Sequence, residues 1–406
     1  VAAAGLGVAA MPAAAADVVI VGGGVMGTSI ALQLARRRAG RIVLCEKHHV
    51  ASGPTGRSSA LLRRHYSIEL YARMAARSFE LYSNFEELTG RPAEITRCGL
   101  VMAVGPEDVA AMRDTVTMMR GLGVKVEELA PRDLARVVPG LAVDDFGAAA
   151  WETDTGYGDP ASVSQAYAAR ARELGVEIRQ DTTVSHLALT GGRISGVRTS
   201  GGDIATATVV NAAGPWGAAL SRAVGHDLPV VASRQQLVIL RPGAQAAAAR
   251  PVLVDMVERA YYRPETGGLV LVGTRNRAGV SAPVDPDAFS ERADPDRVAW
   301  TAEAAARRFP GFADAEAVGG YASVYDLTPD LHFVIEHSPV VPGLFHALGF
   351  SGHGFKHSPV IGEMVTQLVM DGRVSVVDAS PFSSTRFGAP AGAPPVLKGR
   401  YGSWPF

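Results

Sequence analysis

Residues 17–38, DVVIVGGGVMGTSIALQLARRR, change their hydrophobic period within a few positions. Val18 to Val21 form a β-branched run, three glycines follow, and then Ile30 with Leu34 and Ala31 with Ala35 recur at helical spacing. This predicts a strand, a tight turn and a helix, and RIVLCE (41–46) predicts a second short buried strand that completes a βαβ unit. A helical stretch over 68–88, a strand in CGLVMAV (98–104) and an amphipathic helix over 106–122 follow. DPASVSQAYAARARELGVEI (159–178) opens on an aspartate N-cap with proline at the first helical position and stops at a glycine. RISGVRTSGGDIATATVVNAAG (193–214) alternates as a β-hairpin that closes into a buried strand. QQLVIL (235–240), AYYRP (260–264) and LVLVG (269–273) read as strands, with a helix near 293–309. From 318 to 373 come a strand, the motif GFSGHGFKHSP and the apolar helix SPVIGEMVTQLVM.

No internal repeat interrupts this order, and 406 residues exceed what one hydrophobic core usually takes. The expected fold class is α/β: a Rossmann-like cofactor-binding domain (17–90, 150–225 and 320–385) interleaved with a mainly antiparallel substrate domain (91–149 and 226–319). Residues 386–406 read as a C-terminal tail. Residues 1–16 are apolar and alanine-rich but lack the basic start of a signal peptide, so they read as a flexible leader, with Met11 as a natural start.

A formal charge of −1 with 47% hydrophobic residues gives no footprint for nucleic acid or a membrane surface. Cys45 and Cys98 make no disulfide framework, no residue set has metal-ligand spacing, and no apolar run is long enough to span a bilayer. The expectation is a cytoplasmic protein without a metal. Composition sharpens one position: only four of the 39 basic residues are lysines, and Lys356 is one of them, set among glycines and histidines.

Gly22, Gly24 and Gly27 form a GxGxxG between strand and helix, allowing a tight turn, close backbone approach to a pyrophosphate and helix packing on the sheet. The helix start at Val25 and Met26 offers N–H groups and a positive dipole end. Glu46, at a strand end nineteen residues after Gly27, is placed for a ribose hydroxyl pair, with Lys47 beside it. NAD and FAD both use this unit. The polar stretch ASGPTGRSSALLRRHY (51–66), carrying Ser52, Arg57, Ser58 and Ser59, replaces the further βα repeats of a nicotinamide enzyme and suits a long cofactor.

With VVIVGGGVMG, SGPTGRSSALLR, GDPASVSQAYAARARELGVEI, VVNAAGPW (209–216), GFSGHGFKHSPVIGEMVTQLV and SPFSSTRF (380–387), the chain resembles the D-amino acid oxidase superfamily of flavoproteins, in particular its sarcosine oxidase branch with the beta subunit of the heterotetrameric enzyme. The resemblance implies FAD and oxidation of the C–N bond of a small amino acid or N-alkyl amino acid to an imine that water hydrolyses. It also implies oxygen or another electron acceptor, and a place in a larger oxidase complex is a further partner reading. A glycine or D-amino acid oxidase, a tailoring amine oxidase, and a non-catalytic flavoprotein subunit or assembly factor are the rival readings.

Carried over by motif, the cofactor site adds Val184, Ala213, Gly214 and Trp216, together with Gly349, Ser351, Gly352, His353, Gly354, Phe355 and Lys356, whose glycines leave room for a planar ring. Lys356 and Arg63 match the family's carboxylate-binding cations, with Arg64 as the alternative register, and Tyr325 matches a tyrosine of the substrate pocket. His65 is a further pocket candidate. His353 is expected near the flavin, His357 toward the helix surroundings, and His48 and His49 near the adenosine end. The chain departs from the family at Ser323, where monomeric sarcosine oxidases tether FAD through cysteine, around Arg57, where a tethering histidine is missing, and at Gly158, where a second flavin would be attached. The FAD is therefore expected to be noncovalent. The oxygen-activating lysine is absent from LVLVGTRN (269–276), with Arg275 the nearest cation.

Overall fold

The computed structural model describes residues 14–243, 250–274, 282–389 and 397–401. Val18–Val21 forms a central strand of a six-stranded sheet, whose order is Val334–His337, Leu344–Leu348, Val209–Asn211, Val18–Val21, Ile42–Cys45, Glu177–Arg179. All pairings are parallel except that of the two 334–348 strands. Alternation explains its burial on both sides. Val18 and Ile20 face the helices Val25–Arg36, Pro160–Glu173 and Ser358–Asp371. Val19 and Val21 face a four-stranded sheet carrying Leu187, Ile194 and Val197. Gly362 lets two helices meet, since a Cβ there would stand 2.4 Å from Ser29 Oγ, and Ser29 donates to Ser358 O at 2.8 Å.

The predicted N-cap holds: Asp159 Oδ1 accepts from Ser162 N at 2.6 Å ahead of Pro160. The helical stretch 68–88 divides at Asn84 into Glu69–Ser83 and Phe85–Thr89. After GFSGHG, the chain makes one 3₁₀ turn, Phe355–His357, before its α-helix begins at Ser358.

The second large sheet has eight strands and is antiparallel apart from one parallel pair, Val252–Asp255 on Leu100–Val104. Two of its strands, Ala148–Glu152 and Glu316–Leu327, run across the expected boundaries at 150 and 320. The chain is thus an α/β protein with a Rossmann-like sheet and a mainly antiparallel one.

Both expected terminal segments reach too far. Ala14–Ala15 pairs in parallel with Ile204–Ala205, so the leader reading does not extend to 16; residues 1–13, with Met11, lie outside the described residues. Within 386–406, Arg386 bonds Asp330 at 2.7 Å and Tyr401 is buried beside Met112 and Val116, because each finds a partner in the body of the fold. Among the described residues, no helix is long and apolar enough to cross a membrane.

Candidate active site

The GxGxxG turn is tight for identifiable reasons. Gly22 has φ +105°, and a Cβ there would lie 2.5 Å from Ala212 O; one on Gly27 would lie 1.9 Å from Gly22 O. This lets the helix Val25–Arg36 start against the sheet end. Glu46 follows its strand directly, and its carboxylate accepts from Gly23 N at 2.7 Å and His48 N at 2.9 Å. Thr55, on the following 3₁₀ turn, accepts from Val25 N at 3.1 Å.

These residues line a cavity of about 840 Å³. Its walls include Gly22, Gly24, Val25, Met26, Glu46, Lys47, His48, His49, Ser52, Arg57, Ser58, Val184, Ala213, Gly214 and Trp216, together with Ser323, Tyr325, Gly352, Gly354 and Phe355. Two predicted cofactor glycines lie outside this lining. Gly27 serves helix packing, and Gly349 is held behind the loop, its N–H donating to Asp326 Oδ2 at 2.8 Å. The rim carries an acid that sequence reading missed: Asp287 accepts from Lys47 Nζ at 2.5 Å and from Trp216 Nε1 at 2.9 Å, while Lys47 lies 3.8 Å over the Trp216 ring. Nearby, Arg57 bonds Glu291 at 2.7 Å.

A second cavity, of about 100 Å³, shares Ser58, Tyr325, Gly352 and Phe355 with the first. Ser59, Arg63, Ser351, His353 and Lys356 line it. The two cations expected from distant segments are therefore brought to one small pocket. Gly352 is glycine because a Cβ there would sit 2.3 Å from the Tyr325 ring. The Lys356 ammonium is buried, donates to His353 O at 3.4 Å, and has its pKa held well below the usual lysine range by burial and then by Arg63. Arg63 lies 3.9 Å over the Tyr66 ring and donates to His65 O.

Arg64 has a different place. It is buried in an ion pair with Glu152 at 2.8 Å and a second one with Asp154, so the alternative register is a structural arginine. His65 is not in either cavity lining; its ring turns to the Tyr401 hydroxyl, and burial lowers its pKa to about 3. His353 packs on Phe333 with ring centroids 4.5 Å apart, and it lines the small pocket, not the large one. His357 is enclosed by Tyr66, Tyr71 and Phe333; burial and the neighbouring Lys356 hold both imidazoles neutral. Asp326, also missed, holds the glycine loop through the N–H groups of Gly349 and Phe350, and burial pushes its carboxyl up to about 6. Arg275 lies outside the described residues. Outside both cavities, His226, Glu336 and His346 converge, a buried group that sequence spacing gave no hint of.

The larger cavity fits an extended dinucleotide on its own evidence. A Cβ at Gly22 would strike Ala212 O and one at Gly24 would press on Thr55 Oγ1, so the turn keeps its shape only with glycine, Glu46 is fixed beside it, and the Ser323 hydroxyl in the same lining is buried without a partner among the described residues.

Residues 17–368 match the family described as DAO, FAD dependent oxidoreductase. Mouse FAD-dependent oxidoreductase domain-containing protein 1 is 28% identical, over 93% of this chain and 86% of its own length. Glycine oxidase from Geobacillus kaustophilus is 29% identical over 91% and 97% of the two chains. Rat mitochondrial dimethylglycine dehydrogenase is 26% identical over 88% of this chain, which spans 43% of that protein. Among solved structures, L-proline dehydrogenase from P. horikoshii superposes with a TM-score of 0.84 at 25% identity, covering 93% of this chain and 98% of that one.

Proposed function

Since the chain belongs to the DAO family of FAD-dependent oxidoreductases, we propose that it oxidises the C–N bond of a small amino acid or N-alkyl amino acid. The observation that carries this reading is the small pocket holding Arg63 and Lys356, which shares a wall with the dinucleotide cavity and has no acidic residue in its lining. FAD, when bound, would supply the oxidant, accepting a hydride equivalent from the carbon next to nitrogen; the resulting iminium, or the imine left when an N–H proton departs to solvent, is hydrolysed by water.

The chain's own residues do the rest. Gly22, Gly24 and the helix start at Val25 and Met26 hold the phosphates, Glu46 takes the ribose hydroxyls, and the 349–356 loop with Ser323 and Tyr325 bounds the ring end. Arg63 grips the substrate carboxylate with its planar fork while Lys356 adds a compact charge, which together fix the orientation of the reacting carbon. The same two cations disfavour a protonated substrate amine, keeping the nitrogen lone pair available for oxidation. Tyr325 closes the pocket above Gly352. Neither His353 nor His357 is needed as a base in this scheme. The cofactor is held noncovalently, because Ser323 presents a hydroxyl where a thiolate would be required for a tether.

Anaerobic titration of the yellow protein with sarcosine, dimethylglycine, glycine, proline and D-amino acids tests the reading. Bleaching of the oxidised flavin band by one of them is expected, and admission of air then separates oxidase from dehydrogenase. No bleaching by any amino acid would overturn it in favour of a flavoprotein without amino-acid turnover. Acid precipitation is expected to release all the FAD into the supernatant, and colour retained in the pellet would refute noncovalent attachment.

A further inference from the structure

Among the described residues, four arginines are buried: Arg63, Arg64, Arg263 and Arg308. Three are neutralised by acids, Arg64 by Glu152 and Asp154, Arg263 by Glu265, and Arg308 by Asp255 and Asp145. Arg63 has no such partner among the described residues, and neither has Lys356. A third cation lines the same small cavity: Arg259, which no sequence motif singled out. The lining holds three cations and no Asp or Glu. Buried charge left without a counter-charge is costly, so a pocket that gathers three cations and no acid, where Arg64, Arg263 and Arg308 are each paired with one, suits an anion.

The placement of Arg259 supports the same conclusion. It sits in the turn between the strands Val252–Asp255 and Ala260–Pro264, with φ +55°, in the left-handed region that disfavours a residue with a side chain. The turn is held from inside: Asp255 Oδ1 accepts from Val257 N and Glu258 N, both at 2.9 Å, while Asp255 Oδ2 accepts from Arg308 at 2.6 Å. The adjacent Glu258 is engaged with Arg307 and does not line the cavity. A glycine would meet the backbone demand better. The residue found there, on a fixed turn, is an arginine that lines the pocket.

We propose that Arg259 forms a second carboxylate subsite, so that the substrate is a short dicarboxylate: an acidic amino acid or an N-carboxyalkyl amino acid. This rests on the reading of Arg63 and Lys356 as the site of the first carboxylate. The two charges of such a molecule answer the two arginines, and its nitrogen lies between them beside the wall shared with the flavin cavity. The tyrosine hydroxyl of Tyr261, buried near Ser59 and Tyr325 in the same lining, adds a polar contact.

The test uses the FAD-loaded enzyme and the shift of its flavin spectrum on titration with succinate and glutarate against butyrate and valerate, followed by turnover of aspartate, glutamate and N-carboxymethylglycine against glycine and sarcosine. Diacids are expected to bind at least about tenfold tighter than monoacids of equal length. In Arg259→Gln that preference falls to within about twofold, because diacid binding weakens more than monoacid binding; Arg259→Lys retains most of it. Arg259→Gly relieves the strained φ, so it is expected to fold at least as well as the native chain and still lose the preference. Equal binding of mono- and diacids by the native enzyme, or a diacid preference that survives in Arg259→Gly, overturns the proposal. If monoacids bind and depend on Arg63 but diacids gain nothing, only the second subsite fails. If no carboxylate perturbs the flavin, the first-carboxylate reading fails with it.

Discussion

The two ends of the site are built from different materials. The dinucleotide end is largely backbone: a glycine turn, a helix start and one acid, contributed by a continuous stretch from Val21 to Glu46. The proposed substrate end is side chains, with Arg63, Arg259, Tyr325 and Lys356 drawn from four places in the chain to line one cavity. Backbone recognition tolerates almost no added atom but asks little of residue identity beyond glycine. Side-chain recognition tolerates sequence change around it but depends on the charge of each member.

Substitutions at the two ends should therefore fail differently. The largest effect is expected for Gly27→Ala, whose Cβ would enter the carbonyl of Gly22. Overpacking of about 3 kcal/mol or more should leave a protein with little FAD, read from the ratio of flavin to protein absorbance. Normal FAD content would break the contrast.

Next come the adjacent arginines. Arg63→Met should weaken carboxylate affinity by about 3 kcal/mol, roughly 100-fold, with FAD retained. Arg64→Met should leave Glu152 buried and unpaired, costing about 3–5 kcal/mol of stability in a denaturant melt, with KM unchanged. Exchanged phenotypes would show that the register is wrong.

A smaller effect is expected from pH. Lys356 binds an anion only as the ammonium, and its pKa is lowered by burial and by Arg63, so carboxylate affinity is full below that lowered value and declines as pH rises through it. Lys356→Arg stays charged and should bind with a flatter profile, measured as inhibitor Kd against pH. A native profile that strengthens with rising pH would contradict this.

Smallest is Asp287→Asn at the exposed rim. Loss of its pairing with Lys47 should cost at most about 1 kcal/mol of FAD binding, a fewfold faster cofactor release on dilution.

What could be read from sequence follows the same division. The glycine turn, Glu46 and the Asp159 cap are local patterns, and the structure repeats them. Arg63 and Lys356 were legible through a resemblance and not through spacing, since 293 positions separate them and only tertiary packing joins them. Arg64 and His65 sit in the same quoted stretch but point elsewhere, because their partners, Glu152 and Tyr401, lie far along the chain. Arg259 had no signal at all: its place comes from a left-handed turn and from a cavity lining that holds no acid. Asp287 and Asp326 were hidden for a like reason, each acquiring its role from residues more than twenty positions away.

The order of strands in the six-stranded sheet carries a consequence for biosynthesis. Val18–Val21 is flanked by Ile42–Cys45 and by Val209–Asn211, and the latter pairs in turn with Leu344–Leu348. A ribosome delivers the first pair early and the remaining neighbours about 165 and 300 residues later, so the half-made sheet waits with an open parallel edge. The walls of the cofactor cavity run from Val21 to Phe355. The FAD site is therefore incomplete until Phe355 has been made, and FAD, which binds only the closed sheet, stabilises that sheet by mass action.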